Sequence, residues 1–416
     1  MHVLDWLCYA AALVGHLALC AAFNNRVHAM HFPRAVIETS NWIVRLWAVG
    51  LPASIAAIGL YAGPQTISLF TPSGVPLPVL FYVAVCAFVG AVLVPWEWLR
   101  RKLTVRPLAL GRQLSTRHDF WPQFKYCSDQ SLTGRLLCAL PLNESLQIEC
   151  TEKHLVLPNL PSELEGLSIA HISDLHFTGR VPREFFERAV EMVNELEPDL
   201  VAVTGDICEH AHTVSWVAPL LGALRSRLGV YYVVGNHDVR KNLRALRREL
   251  RSTDLIDLGG RWRQLDISGT SIILAGNELP WSAPAADMKT CAPIEEARRH
   301  GDPEPFKLLL SHSPDQFPWA RRHGFDLMLA GHTHGGQIVF PGIGSILCPS
   351  RFGSRYASGA FYEPPTVLHV SRGLSGDTPL RWNCRPEITR LVLVRGDAPA
   401  RLAVSQAASA AAFATR

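Results

Sequence analysis

Five short blocks of this sequence carry side chains able to do chemistry, and each stands just past the end of an apolar run: HISDLH (171–176), TGDI (204–207), GNHD (235–238), LLLSHSPD (308–315) and GHTHGGQ (331–337). Most are weak when taken singly. A D-x-H triplet is usually surface chance, a Gly-Asp pair is more often a turn or a helix cap, and a single histidine at a strand end is usually a satisfied core residue. An Asn-His-Asp turn is as often structural as chemical. H-x-H between glycines is stronger, because paired imidazoles with room for a ligand are what a metal site requires. In extended backbone alternate side chains share a face, so Asp174 with His176, and His332 with His334, are expected to address an ion in pairs.

Taken together, Asp174, His176, Asp206, Asn236, His312, His332 and His334 offer two carboxylates, one amide oxygen and four imidazoles. That set is too large for one four-coordinate zinc and suits two ions sharing a bridging carboxylate. Two divalent ions held by only two carboxylates leave a net positive site, which fits phosphate. His237, beside Asn236, is read as serving chemistry rather than metal. Mixed N and O donors without Cys admit Mn, Fe, Zn or Co.

The elements that must position these blocks alternate in type. Short apolar runs at 167–172, 200–204, 230–234, 271–275, 307–310 and 326–329 predict strands, and helical spacing recurs at 186–196, 216–228 and 243–250. This is an α/β pattern, in which open sheets place ligands beyond the strand ends. Residues 145–157 predict a strand pair or one long irregular strand. Beyond residue 337, apolar runs at 366–370 and 388–394 predict a second, more antiparallel sheet.

The order D-x-H, G-D, G-N-H-D, H and G-H-x-H resembles the calcineurin-like metallophosphoesterase superfamily over roughly residues 145–396. GHTHGGQ followed by PGIG, VSRG and PLRWNCRPE is similar to its membrane-associated YkuE- and YaeI-like branch. The resemblance implies a four-layer αββα sandwich. It implies that Asp174, His176, Asp206 and His334 hold one ion, and that Asp206, Asn236, His312 and His332 hold the other. It further implies in-line hydrolysis at phosphorus, with the two ions activating water, His237 protonating the leaving oxygen, and Asp238 fixing the tautomer of His237. Similar membrane-associated enzymes cleave UDP-diacylglucosamine. One departure lies after the Gly-Asp block, where Ile207, Cys208, Glu209 and His210 replace the acidic and small residues usual in the branch; these four are read as rim residues. His171 is read as structural. Arg372 and Arg381 are open between contact with substrate phosphate and ion pairing within the protein.

The first hundred residues frame this chemistry. Runs at 6–23, 46–62 and 79–95 contain no Asp, Glu, Lys or Arg and approach the length that crosses a bilayer. Met1 to Asp5 carry no Lys or Arg, which argues against a signal peptide. Arg26 and Arg34 follow the first run, residues 63–77 carry no charge, and Arg100, Arg101, Lys102 and Arg106 follow the third beside Trp96 and Trp98. Three spans with this alternation predict a catalytic part on the cytoplasmic side of the inner membrane. The expected organisation is a transmembrane anchor at 1–99, a connector at 100–144, the phosphoesterase domain at 145–396 and a disordered tail at 397–416. The net charge of +4 is too small to argue for nucleic acid, and the basic run suits either anionic lipid headgroups or a solvated linker. The ten cysteines show no C-x-x-C, as expected of reduced thiols. A lipid-linked phosphodiester or pyrophosphate is the substrate class favoured by the anchor. The alternatives are a soluble-nucleotide phosphodiesterase or phosphatase, and a non-catalytic membrane signalling or binding protein.

Overall fold

The computed structural model describes residues 3–62, 76–104, 109–124, 136–137, 140–282 and 284–396. The expectation for the tail at 397–416 lies outside the described residues. The chain forms two compact units, one made of the N-terminal helices up to Arg106 together with Gly342–Arg355, the other of Pro107–Pro341 and the chain from Tyr356 onward.

In the first unit, helices α1 (Val3–His28), α2 (Arg34–Ala62) and α3 (Leu77–Phe88) are followed by a π-helical turn at Val89–Leu93 and by α4 (Val94–Thr104). Three stretches, Val3–His28, Arg34–Ile58 and Leu77–Arg100, are long and apolar enough to cross a membrane. The first and third cross with their backbones in contact. A Cβ at Gly15 would stand 1.9 Å from the Cys86 carbonyl oxygen, and one at Gly90 the same distance from that of Ala11. Small residues at such a crossing let helices pack by close approach where water gives no hydrophobic push. One polar cluster joins the three spans: His16 Nδ1 meets the Tyr82 hydroxyl at 2.7 Å, and Trp47 Nε1 donates to the same oxygen at 3.1 Å.

The second unit is built on two facing sheets. The first runs in the order β1 (Leu110–Asp119), β2 (Gln147–Leu157), β15 (Glu387–Arg395), β3 (Ser168–Ile172), β4 (Leu200–Thr204), β5 (Val230–Val233), β6 (Ile256–Asp257). The second runs β13 (Gly359–Glu363), β14 (Thr366–Val370), β10 (Leu327–Ala330), β9 (Phe306–Ser311), β8 (Thr270–Asn277), β7 (Trp262–Ile267), and the two-residue strands β11 (Val339–Phe340) and β12 (Gly344–Ser345) belong to neither sheet. Strands β3, β4 and β5 are buried on both faces, so their runs read as continuously apolar instead of alternating. Ile169, Leu200, Ala202, Tyr231 and Val233 pack with Ile272, Leu274, Leu308, Leu310, Leu327 and Leu329 between the sheets. Ala170, Val201, Val203 and Tyr232 pack on the opposite face with Phe185, Phe186, Ala189 and Val193 of the helix Arg183–Glu195 and with Leu246 and Leu250 of the helix Leu243–Arg251.

Three features differ from the sequence expectation. Residues 388–394 do not join the second sheet: β15 inserts into the first, parallel to β2 and antiparallel to β3. Part of the expected connector is strand β1, paired antiparallel with β2 from Gln147 to Leu155. Its outward face is exposed, so it lacks the apolar alternation that marks a strand in sequence. The helix expected over 216–228 is the short Val217–Leu221, preceded by a 3-10 turn at Ala211–Trp216.

Candidate active site

All the chemistry-bearing blocks leave the same ends of neighbouring strands. Asp174 and His176 follow β3, Asp206 follows β4, and Asn236 to Asp238 follow β5; His312 follows β9, and His332 and His334 follow β10. The site therefore draws on both sheets, at the point where their central strands end.

The expected period-two faces do not exist. Asp174 and His176 have φ of 50° and 42°, Asp206 has 50°, and His332 and His334 have 72° and 50°. Five donors sit in the left-handed region, which costs of order 1–3 kcal/mol for each non-glycine residue and is held only where the surroundings over-determine it. Here the loops clamp one another, with Asp174 N donating to Gly205 O at 3.0 Å and His176 N donating to Asp206 O at 2.9 Å. Glycine makes that clamp possible at two close approaches: a Cβ on Gly235 would lie 2.1 Å from Asp206 Oδ1, and one on Gly331 would lie 1.9 Å from Ser173 Oγ. The side chains converge because each loop turns sharply at its donor.

Two donor groups share no residue, Asp174 with His176 and His334, and Asp206 with His312 and His332; a third, His176 with Glu209 and His237, overlaps the first. Asp206 lies between them. Its Oδ2 is 3.6 Å from His176 Nε2 and 3.1 Å from His312 Nε2, while its Oδ1 accepts the backbone N–H of His237 at 2.8 Å. Asn236 Oδ1 stands 3.2 Å from His312 Nε2, which brings the amide into the second group. Asp174 is fixed by the backbone N–H of His332, at 3.0 and 3.1 Å from its two oxygens.

Each of three imidazoles is anchored through Nδ1 and turns Nε2 inward. His176 Nδ1 faces Glu209 Oε1 at 2.6 Å, His312 Nδ1 faces Thr204 O at 2.7 Å, and His334 Nδ1 faces Ser375 O at 3.0 Å. All three partners are acceptors, so the proton sits on Nδ1 and the Nε2 lone pair is presented to the centre. His176 Nε2 and His334 Nε2 are then only 3.2 Å apart, an approach that needs a shared proton or a metal ion between them. The fourth imidazole makes the same point: His332 Nε2 is buried without a hydrogen-bond partner, where a buried polar atom otherwise finds one. Burial, reinforced by the neighbouring imidazoles, holds His332 and His334 well below the usual histidine range and so neutral, the ligating form. Burial opposes charge on His176 and His312 as well, but Glu209 and Asp206 outweigh it at His176, and Asp206 and Asp174 at His312, raising both to about 9, so that a metal ion competes with a proton for each Nε2. Asp206 is held well below the usual carboxylate range, burial being overcome chiefly by His312 and His237. The donor set fits two divalent ions.

Glu209 is the functional residue that sequence reasoning misplaced. Instead of standing at the rim it is almost wholly buried, with Oε1 2.6 Å from His176 Nδ1 and 2.5 Å from His237 Nδ1, and with Oε2 paired to Lys241 Nζ. Burial would raise its pKa, yet the hydrogen bonds from both imidazoles hold it well below the usual glutamate range. The signal was present as an acidic residue shortly after Gly-Asp. The sequence reading placed that stretch at the rim, whereas the φ of Asp206 and the bridge from Phe177 to Cys208 turn Glu209 in. Asp238, expected to orient His237, does something else. Its carboxylate accepts the backbone N–H groups of Ile207 and Cys208 at 2.9 and 3.0 Å and of Gly235 at 2.9 Å, locking the loops after β4 and β5 together. Burial and the nearby Asp206 push it up to about 7. His237 packs edge-on against His176 with ring centroids 4.9 Å apart, and its side chain is 30% exposed.

The two arginines left open by the sequence are engaged within the protein. Arg372 pairs with Glu149 at 2.9 Å and Glu387 at 3.3 Å. Arg381 is buried and donates to the carbonyl oxygens of Arg372 and Ser375 at 2.7 and 2.6 Å. His171 is buried between the sheets, with Nδ1 2.9 Å from His369 Nδ1 and Nε2 2.9 Å from Thr204 Oγ1.

Residues 167–336 match the family model described as calcineurin-like phosphoesterase. The chain is 30% identical over 254 residues to the uncharacterized metallophosphoesterase YkuE of Bacillus subtilis, a match covering 60% of this chain and 87% of that protein. The chain belongs to the calcineurin-like phosphoesterase family. It is also similar to phosphodiesterase YaeI of Escherichia coli, 29% identical over 239 residues, covering 54% of this chain and 82% of that one. A further relative is UDP-2,3-diacylglucosamine pyrophosphatase LpxG of Chlamydia muridarum, 25% identical over 282 residues, covering 56% of this chain and 85% of that one. The protein is thus a metal-dependent hydrolase of phosphoester bonds in a family that works with two metal ions. Its N-terminal helices mark it as a membrane protein.

Proposed function

We propose that this chain hydrolyses a phosphodiester or pyrophosphate bond in a lipid-linked substrate at the cytoplasmic face of the inner membrane. The observation that carries the reading is one chain holding both three bilayer-length apolar helices and a full dinuclear donor set. A tether confines enzyme and lipid to one thin layer and raises their encounter frequency, with no comparable gain for a soluble substrate. The pyrophosphatase name borne by the relative LpxG makes a nucleotide-activated lipid such as UDP-diacylglucosamine the first candidate.

Asp174, His176, Asp206 and His334 would hold one ion, and Asp206, Asn236, His312 and His332 the other, with Mn, Fe, Zn or Co compatible with these donors. When bound, the ions lower the pKa of water and neutralise phosphoryl charge. The remaining work falls to protein groups. His237, part-exposed and fixed through Nδ1 by Glu209, protonates the leaving oxygen, and Asp238 acts by holding the loop that carries it.

The test uses full-length protein in lipid nanodiscs, comparing a lipid-linked pyrophosphate in the same disc with a soluble diester such as bis(p-nitrophenyl) phosphate. Preference for the lipid-linked substrate is expected. Equal relative rates in discs and in detergent would mean that the anchor is an address only and would refute the substrate assignment. For orientation, reporter fusions at residue 70 and at the C-terminus should report opposite sides of the membrane; finding both on one side would overturn the three-span arrangement.

A further inference from the structure

The segment Gly342–Arg355 interrupts the catalytic unit. It leaves the chain shortly after the GHTHGGQ block and returns at Tyr356, yet it packs as part of the helical unit. Its seat is specific. Asn25, buried near the C-terminal end of α1, donates from Nδ2 to Ile346 O at 3.0 Å and accepts the backbone N–H of Cys348 on Oδ1, also at 3.0 Å. A side-chain amide that satisfies a carbonyl and an N–H of one strand of chain fixes its height and direction at once. Trp98, near the C-terminal end of the third span, donates from Nε1 to Gly342 O at 2.6 Å. Cys348 and Ser350 are fully buried.

These anchors lie at the same end of the bundle. The first and third spans cross at Gly15 and Gly90, and from there the chain continues to Asn25 on one helix and to Trp98 on the other, both of which the segment touches. It therefore sits where α1 and the third span leave the apolar layer, beside the tryptophans and cations that mark an interface. In that position the segment turns large apolar side chains outward: Ile343 is 61% exposed, Leu347 55% and Ile346 43%. A water-soluble loop has no reason to present three such residues together.

We propose that Gly342–Arg355 is a membrane-interface loop whose Ile343, Ile346 and Leu347 enter the headgroup–acyl boundary of the leaflet. Its occupant is the bilayer, because the loop continues a surface that is already membrane-facing. The metal-bearing GHTHGGQ block is thereby joined, through a short stretch of chain, to a segment held at lipid depth. Under the lipid-linked reading above, loop and substrate share one leaflet. The seating of the loop does not depend on that reading.

The experiment places the photo-cross-linker p-benzoylphenylalanine in full-length protein at Ile343 or Leu347, and at exposed Arg299 as a control, in nanodiscs of phosphatidylethanolamine and phosphatidylglycerol. Lipid adducts identified by mass spectrometry at 343 and 347, and not at 299, are the expected result. No lipid adduct at either position, an adduct to a second protein chain in its place, or equal labelling at 299 would overturn the seating. In a second arm, Ile343→Glu combined with Leu347→Glu should lower lipid labelling from the cross-linker placed at Ile346 about tenfold or more, the scale set by withdrawing two large apolar side chains from lipid, with turnover of the soluble diester unchanged. Undiminished lipid labelling at 346 would refute the seating. If lipid adducts form but wild-type protein shows no preference for the lipid-linked substrate, the loop assignment stands and the substrate reading fails.

Discussion

Replacing Glu209 by Gln is the sharpest test of the site. The carboxylate serves His176 at 2.6 Å and His237 at 2.5 Å through one oxygen, and Lys241 through the other. An amide keeps the shape but loses the charge, and its NH2 group cannot accept from any of these donors. Loss of a buried acceptor behind a ligating histidine typically lowers metal affinity about 10- to 100-fold, which is about 1.4 to 2.8 kcal/mol at 1.4 kcal/mol per tenfold. The loss should fall on the ion held by Asp174, His176 and His334, because His312 is anchored separately on Thr204 O and does not touch Glu209. Turnover at saturating metal should fall as well, since His237 loses the partner that fixes its ring. The assay is chelator competition on the full-length protein for the two affinities, followed by steady-state hydrolysis of a soluble diester at saturating metal. Two unchanged metal affinities with unchanged turnover would show that Glu209 orients neither imidazole. An equal loss at both ions would show that its role is general stability.

His237→Ala should leave both ions bound while lowering turnover by roughly 100-fold or more, the scale of a lost general acid; metal lost with activity retained would reverse the assignment. Metal analysis of protein supplied with Mn should approach two ions per chain, and stripping one should abolish turnover; full activity with a single tightly held zinc would refute the dinuclear site. Away from the site, burial lifts Asp326 from 3.8 to about 6 even though it accepts the Lys307 N–H. A carboxyl raised on folding favours the folded state while it is protonated, and that advantage disappears as pH rises from the unfolded value through the folded one. Asp326→Asn should therefore stabilise the protein at about pH 8 by roughly 2–3 kcal/mol, corresponding to about two pKa units, and much less at about pH 4. Denaturation of wild type and variant at both pH values checks this, and the same difference at each would refute it.

Much of the molecule was legible because its signals are local. The continuous apolar runs that became β3, β4, β5, β9 and β10 are short, rich in β-branched residues and Leu, and closed by Gly or polar residues, so strand identity and the strand-end position of every donor could be read from the chain. The membrane helices were legible for the same reason, since length and hydropathy alone suffice to mark a candidate span. Strand β1 was not, because it is stabilised by pairing with β2 while its side chains face outward. Its stability resides in backbone hydrogen bonds to a strand far along the sequence, and these leave no apolar period.

What the sequence determined by itself was the identity and order of the donors: two carboxylates, an amide and four imidazoles at strand ends are fixed by residue type, and residue type sets which ions and which chemistry they suit. How those donors face one another was decided only in three dimensions. Five left-handed residues turn the loops, Asp238 ties two of them through their backbones, and Glu209 swings beneath His176 and His237. The seat of Gly342–Arg355 on Asn25 and Trp98 is of the same kind. Backbone dihedrals at turns and hydrogen bonds between residues distant in the chain depend on the packing of both sheets at once, and no local pattern of residue types encodes them.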